Sequence, residues 1–344
     1  MSNDPIDAVI CWVDGNDPKL NVKRQKFMNS SMPSKGVSTR FANCWEIYYC
    51  VASILKFGTF FRKIYIVTDQ QVPDILEQLD VAFPSFDKSR IEIVDHTDIF
   101  KNHLDVLPVF NSTAIATMLF NIPALSKKFV YFNDDVFLLK PVVATDFFKE
   151  DRPVLRGKKQ RRWIVRLRKK LRSFVKKKTG VKIFNRVSFK EYQVNGADMV
   201  NDDPHYHWHD HTPHPVCRKR MASFFEANPE FLRKNIKHRF RSSDNFGVLG
   251  LLHALEIQEG NYNFENCDLV YFNSQARKNH QAYFERKVAY SLKRDLKFAC
   301  VQSLDLVKTE VRANFFAWLA NKIGVPVFEE NITEKQETVK IKCK

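Results

Sequence analysis

The sequence predicts an α/β protein with a largely parallel sheet. Short apolar runs of strand length alternate with stretches of helical apolar spacing. Most of those runs end on an aspartate, which places carboxylates where the carboxyl edge of a sheet would lie. At 44% hydrophobic, with 30 phenylalanines among 344 residues, the chain is rich enough in apolar surface to build a sizeable core.

The elements follow in order. "IDAVICWVD" reads as a buried strand, Ala8–Val13, ending at Asp14, and "GNDP" after it is turn chemistry. "CWEIYYCVASILKFG" has helical spacing over Cys44–Gly58 and closes on a glycine suited to a C-cap. "RKIYIVTD" gives a second strand, Ile64–Val67, ending near Asp69, and "IEIVDH" a third, Ile91–Val94, ending at Asp95. "NSTAIATMLFNIPAL" reads as a helix opening at Asn111 or Ser112. "KFVYFNDD" is a fourth strand, Phe129–Phe132, delivering Asp134 and Asp135. The segment "VKTEVRANFFAWLANKIG" reads as a closing helix. These elements predict one catalytic domain over residues 1–325, a basic insertion at 151–190 and a polar tail at 326–344.

The net charge of +16 sits in one place. Arg156–Lys182 holds fourteen Lys or Arg and no acid, and without them the remainder carries +2. Within it Ile164, Leu167, Leu171 and Phe174 keep helical spacing, with Trp163 beside them and cations around. Such a stretch suits a solvated helix, nucleic acid, or an interfacial helix on anionic lipid. The tryptophan and the apolar face favour lipid, with Trp163, Leu167 and Leu171 dipping in and Arg166 and Lys170 on head groups. No recognised base-reading motif accompanies the charge, so specific nucleic-acid binding is not expected. No leader of charged-then-apolar pattern stands at Met1–Pro18 and no apolar run is long enough to span a bilayer. The seven cysteines are scattered without a CxxC pair, which argues against a disulfide framework. A cytoplasmic protein, peripheral at the inner face of a bacterial membrane, is the expectation.

Four groups of residues carry chemistry. Asn133, Asp134 and Asp135 offer hard oxygen ligands suited to Mg²⁺ or Mn²⁺, which would also relieve the repulsion between adjacent carboxylates. Asp14 and Asp17 lie beside Gly15 at the same predicted edge. "HYHWHDHTPHP" holds His205, His207, His209, His211 and His214 in what reads as a loop. Zinc is one reading of it, but no acidic or cysteine partner has ligand spacing, and acid–base or phosphate-donor work suits one histidine better. Arg239, Arg241 and Asp244 in "RFRSSD" supply guanidiniums fit for phosphate, or a surface ion-pair cluster.

These pieces, in this order, resemble the Stealth family of sugar-phosphate transferases, which spans bacterial capsular polysaccharide phosphotransferases and the catalytic part of the animal N-acetylglucosamine-1-phosphotransferase. "DAVICWVDGNDP" resembles its first block. The second runs from "RFANCWEIYYCVASILKFGTFFRKIYIVTDQQVP" to "LPVFNSTAIATMLFNIPALSKKFVYFNDDVFLLKPV". "HTPHPVCRKRMASFFEANPEFLRKNIKHRFRSSDN" resembles the third and "KFACVQSLD" the fourth.

The resemblance implies a Rossmann-type, glycosyltransferase-A-like core and a divalent metal. It also implies transfer of hexose-1-phosphate from a UDP-sugar to a glycan hydroxyl, the glycan being free or lipid-linked. By motif position it carries over Asp14, Arg40, Asp69, Asn111, Ser112, Asn133, Asp134, Asp135, His211 and Arg241. His211, Asp14 and Asp69 remain alternatives for the base. Ala116 stands where the family has a glutamate, and Gln302-Ser303 where an acidic or amide residue is usual. A metal-dependent glycosyltransferase releasing UDP, and a basic nucleic-acid-binding protein, are the rival readings. The sequence leaves the oligomeric state open.

Overall fold

The computed structural model describes residues 4–28, 41–179, 188–275 and 279–328. Its strands are β1 (Ile6–Cys11), β2 (Phe61–Thr68), β3 (Ile91–Asp95), β4 (Lys128–Asn133), β5 (Val136–Leu138), β6 (Phe148–Lys149), β7 (Arg152–Arg161), β8 (His205–His209), β9 (His214–Cys217), β10 (Asn263–Glu265), β11 (Leu269–Asn273) and β12 (Phe298–Gln302). Its helices are α1 (Pro18–Gln25), α2 (Glu46–Phe57), α3 (Leu76–Ala82), α4 (His96–Ile99), α5 (Ser112–Thr117), α6 (Arg162–Thr179), α7 (Phe189–Ala197), α8 (Arg218–Ala227), α9 (Pro229–Ile236), α10 (Val248–Gln258), α11 (His280–Arg294) and α12 (Thr309–Ile323).

The main sheet has the order β3-β2-β1-β4-β9. Its first four strands are parallel and β9 closes the edge antiparallel. This is the doubly wound arrangement the alternating pattern predicts, and both faces of the sheet are covered. Ala8, Ile10, Val130 and Phe132 point into one core, Val9, Phe129 and Tyr131 into the other. Two buried faces explain why these strands read as unbroken apolar runs rather than as alternation. The one charge inside β1, Asp7, is fully buried and answered: Arg62 donates to both its oxygens at 2.9 and 2.7 Å, and Ser126 N donates at 2.7 Å.

The fourth strand does something the sequence does not announce. After Asn133 the chain turns through Asp134 and Asp135 and enters a second sheet, β11-β12-β5. The acidic pair is therefore the passage between two sheets, held where Val301 N donates to Asp135 O at 3.0 Å.

Several predicted boundaries shift. The first strand ends at Cys11, so Asp14 lies on the loop beyond it. The first long helix begins at Glu46 and ends at Phe57. Gly58 caps it with φ −111°, so its value is not a left-handed backbone. A Cβ there would stand 2.6 Å from the Phe61 ring. Phe328, at the start of the predicted tail, packs on Trp45 at 4.5 Å between ring centroids. All but residues 326–328 of that tail lie outside the described residues.

The basic insertion divides in two. Residues 152–161 form β7, which pairs with β6, β8 and β10 and belongs to the fold. The helix α6 starts only at Arg162. The histidine-rich segment is likewise not a loop: it forms β8 and β9, strands with buried side chains. Its alternating histidines follow strand pairing, which no local propensity of histidine foretells.

Candidate functional site

The carboxyl edge of the main sheet gathers the predicted aspartates. Asp14 follows β1, Asp69 follows β2, Asp95 closes β3, and Asp134 and Asp135 follow β4. They do not form one cluster. Lys23 Nζ donates to both oxygens of Asp69, at 2.9 and 3.0 Å. Asp14 is tied through its backbone: its N–H donates to Gln71 Oε1 at 3.0 Å and its carbonyl accepts from Gln71 Nε2 at 2.9 Å. Its carboxylate accepts from Asn16 N at 2.9 Å. Asp17 caps α1 by accepting from Lys19 N.

The chemistry concentrates around Asp134 and Asp135. Both are half-buried. Burial, with the neighbouring carboxylates, pushes Asp134 well above the ordinary carboxylate range and Asp135 up to about 7. The third carboxylate is Glu46, first residue of α2, raised to about 7 chiefly by burial, with Asp305 adding repulsion and Arg312 opposing it. Glu46 accepts from Cys44 N at 2.7 Å. Sequence reasoning missed Glu46, because it reads as an ordinary acid in the first turn of a helix. The only signal was its place in the second family block.

Two buried thiols lie near the pair. Burial and the acidic pair hold Cys50 and Cys300 far above the usual thiol range, so both stay protonated. The six described cysteines are free. Asn133 is partly committed: its Oδ1 accepts from Tyr131 Oη at 2.8 Å.

A hard divalent cation suits this pair. Asp135 Oδ1 is buried without a hydrogen-bond partner, and an ionised pair there is costly with no cation beside it. Among the described residues no three His, Cys, Asp or Glu side chains stand ready as a complete metal cage. Two carboxylates would leave the rest of a Mg²⁺ or Mn²⁺ shell to substrate phosphates and water.

A second group is built around His211. The His211 ring is sandwiched between Phe189, 4.5 Å away at 17°, and Tyr271, 5.2 Å away at 17°. Phe189 is set in place by the start of α7, where Ser188 and Glu191 form a reciprocal capping box. The same helix lies against α10 at glycine contacts: a Cβ on Gly196 would stand 2.3 Å from Gly247 O. Tyr271 Oη accepts from Asn273 Nδ2 at 3.3 Å and donates to Gln302 Oε1 at 2.6 Å. That turns the Gln302 amide nitrogen toward His211 Nδ1, 3.4 Å away. Burial lowers His211 to about 4, so it is neutral at neutral pH. With Nδ1 facing a donor, its proton sits on Nε2. Gln302 thus orients the histidine. The following Ser303 has left-handed φ of 63°, a conformation unusual outside glycine.

The third group is Ser112 and Arg241. Arg241 Nη2 donates to Ser112 Oγ at 2.7 Å. Asn111 brings them together from below. It is fully buried, caps α5 by accepting from Thr113 N at 3.2 Å, and donates to His238 O at 3.1 Å and Asn245 Oδ1 at 3.0 Å. Asn111 therefore positions the loop rather than facing a ligand. Arg239 is engaged inward, donating to Leu107 O at 3.2 Å and lying over the Phe27 ring. Asp244 is exposed, 3.9 Å from His238 Nε2. Arg40 lies outside the described residues. Ala116 is buried on α5 in the second core, where a glutamate would need a partner.

The other histidines form a separate buried cluster. His207, His209, His214 and His253 lie with ring centroids 4.6 to 5.7 Å apart, and His207 Nδ1 meets His253 Nδ1 at 3.0 Å. Burial holds all four below the usual histidine range, and repulsion between the rings adds to it for His209, His214 and His253. His205 stays apart, 3.4 Å from Asp203.

The fold and site together define an α/β protein with an acidic pair at the switch point of a parallel sheet. Residues 4–32 match Stealth protein conserved region 1 and residues 40–155 match conserved region 2. The chain thus carries two conserved regions of Stealth proteins. It is 28% identical over 300 residues to the receptor polysaccharide phosphotransferase WefC of Streptococcus oralis, covering 77% of this chain and 81% of that protein. It is 39% identical over 149 residues to the capsular polysaccharide phosphotransferase WcwK of Streptococcus pneumoniae, covering 42% of each. It is 42% identical over 148 residues to the capsular polysaccharide phosphotransferase fcs1 of Haemophilus influenzae, covering 42% of this chain and 38% of that one. The chain thus spans less than half the length of the latter two. Among solved structures, the galactosyltransferase LgtC in complex with donor and acceptor sugar analogues superposes with a TM-score of 0.45 at 12% identity, over 94% of this chain and 98% of that one.

Proposed function

We propose that the chain transfers hexose-1-phosphate, such as N-acetylhexosamine-1-phosphate, from a UDP-sugar to a hydroxyl of a capsular or cell-surface glycan. The product is a phosphodiester and the leaving group UMP. The observation that carries this reading is the raised acidic pair, Asp134 and Asp135, in which an Asp135 oxygen is buried without a partner. The names of the relatives, polysaccharide phosphotransferases, point the same way.

Phosphoryl transfer asks a protein mainly for positioning and for cations on charged oxygens. Asp134 and Asp135 would hold Mg²⁺ or Mn²⁺, with Asn133 and Glu46 at its margin, and the ion would neutralise charge on the diphosphate. Arg241, steadied by Ser112, holds the transferred phosphate. His211 donates a hydrogen bond from its Nε2–H to a phosphate oxygen and keeps that proton. The acceptor oxygen bonds to phosphorus as the bond to UMP breaks. The acceptor's proton passes to Asp14, since Lys23 occupies Asp69. The anomeric carbon is never attacked, so its configuration is kept. The acceptor is a free or lipid-linked glycan, met at the inner face of a bacterial membrane. No described helix is long and apolar enough to cross one.

The test is nucleotide release from a panel of UDP-sugars with Mg²⁺ and an acceptor glycan pool. UMP that vanishes on Asp135→Ala is the expected result. UDP instead of UMP would show a glycosyltransferase and overturn the reading.

A further inference from the structure

The helix α6 presents two unlike sides. At about 100° per residue, Arg162, Val165 and Arg166 fall on one side, and the structure turns that side to the protein. Arg162 is buried: its Nε donates to His205 O at 2.9 Å, its Nη1 to Asp198 Oδ1 at 3.0 Å, and its Nη2 to Asn201 Oδ1 at 2.7 Å. Arg166 also donates to Asp198, at 2.9 Å, so this predicted lipid contact is engaged within the fold. Val165 packs with Val194 and Tyr206. The root of the helix is thereby fixed in direction.

On the opposite side stand Trp163, Ile164, Leu167 and Leu171, which are 53%, 37%, 47% and 55% exposed. They fall within an arc of about 100°. Lys170 borders the arc on one side and Arg168 on the other, both exposed. At the root lies a recess of about 320 Å³ lined by Gln160, Arg161, Ile164, Val165, Arg168 and Lys190. No acid occurs from Arg156 to Lys182.

A solvated helix would not place four large apolar side chains together on its outer arc. A nucleic-acid helix would place cations there. An apolar arc bordered by cations is complementary to one environment, the boundary between acyl chains and anionic headgroups. We infer that α6 docks the protein on an anionic lipid bilayer. Trp163, Ile164, Leu167 and Leu171 enter the boundary, and Arg161, Arg168 and Lys190 at the root meet headgroup phosphates. Arg156 and Arg162 take no part, because both are buried in the fold. The inference deepens the proposed function by naming the surface on which its acceptor is met, and it rests on that reading only for the acceptor.

The experiment is co-sedimentation of the full chain with vesicles of phosphatidylcholine alone or mixed with phosphatidylglycerol. The expected result is binding to the mixed vesicles only, weakened ~10-fold or more in a Leu167→Ser, Leu171→Ser variant. An Arg168→Glu, Lys170→Glu variant, whose exposed side chains border the arc on its two sides, should lose the same binding without touching the apolar residues. Wild-type indifference to mixed vesicles, or equal binding by both variants, would overturn the inference. So would sedimentation without vesicles, which marks the arc as a contact between copies, or a DNA affinity that the leucine variant keeps while DNA displaces the vesicles. Nucleotide release with a soluble glycan, measured on the same preparations, separates the two readings. It should survive in both variants, and its absence in the wild type would count against the transferase alone.

Discussion

The Tyr271 ring lies face to face with that of His211, 5.2 Å between centroids and 17° between planes, while the Tyr271 hydroxyl fixes Gln302 against the same histidine. One side chain thus sets both the plane and the tautomer of another. Tyr271→Phe keeps the stack and removes the hydroxyl. It should lower kcat ~10-fold with donor KM unchanged, whereas His211→Ala should cost ~10³-fold. Steady-state UMP release checks both, and an unchanged kcat for Tyr271→Phe would overturn the tautomer assignment.

Asp134 trades stability for function. Its pKa is raised on folding, so its ionised form costs stability above the unfolded value near 4 and costs nothing below it. Asp134→Asn should therefore raise Tm at pH 8 by an amount equivalent to ~1–3 kcal/mol, and the gain should disappear at pH 4. Transfer should fall ~100-fold or more. Thermal unfolding at the two pH values, beside the activity assay, measures both effects.

Cation binding should be proton-linked. Glu46 and Asp135 titrate near 7 in the cation-free protein, and a ligating carboxylate must be ionised. Chelation should abolish transfer and Mg²⁺ should restore it, with affinity tightening as pH rises from about 6 to 8. Calorimetric titration across that range would show proton release on binding. A pH-independent affinity would place the cation elsewhere.

Arg241 reaches Ser112 across the loop that Asn111 secures. Arg241→Ala should raise donor KM ~10-fold or more, and Arg241→Lys should recover only part, because a lysine lacks the planar fork. Ser112→Ala should have a smaller effect. Asn111→Ala should instead lower stability, since it leaves buried carbonyls without donors.

The buried histidines make the fold acid-sensitive. Their pKa values are lowered on folding, so their contribution is complete above the unfolded value near 6.5 and is lost as pH falls toward about 4, the folded value for His207. His207→Phe should flatten the fall in stability between pH 7 and 4 by up to ~3 kcal/mol. Denaturant unfolding of both proteins across that interval tests the slope, whatever offset the substitution adds.

By itself the sequence determined the parallel sheet, its order of elements and the edge that carries the carboxylates. Continuous apolar runs and helical spacing are local patterns, and a strand buried on both faces has no other way to be written. The sequence also marked Asp134 and Asp135 at the end of a strand, while His211 and Arg241 were singled out only by the resemblance to a family pattern. Tertiary structure alone decided which of the marked residues meet. Asp69 went to Lys23, Asn111 went inward to a loop more than a hundred residues away, and Glu46 joined the acidic pair from another element. It also decided that Arg156 and Arg162 belong to the fold while Trp163 and Leu167 face outward. Those outcomes depend on pairings distant in the chain. Burial is a property of such pairings, and burial is what moves a carboxylate to about 7 or turns a run of histidines into a core.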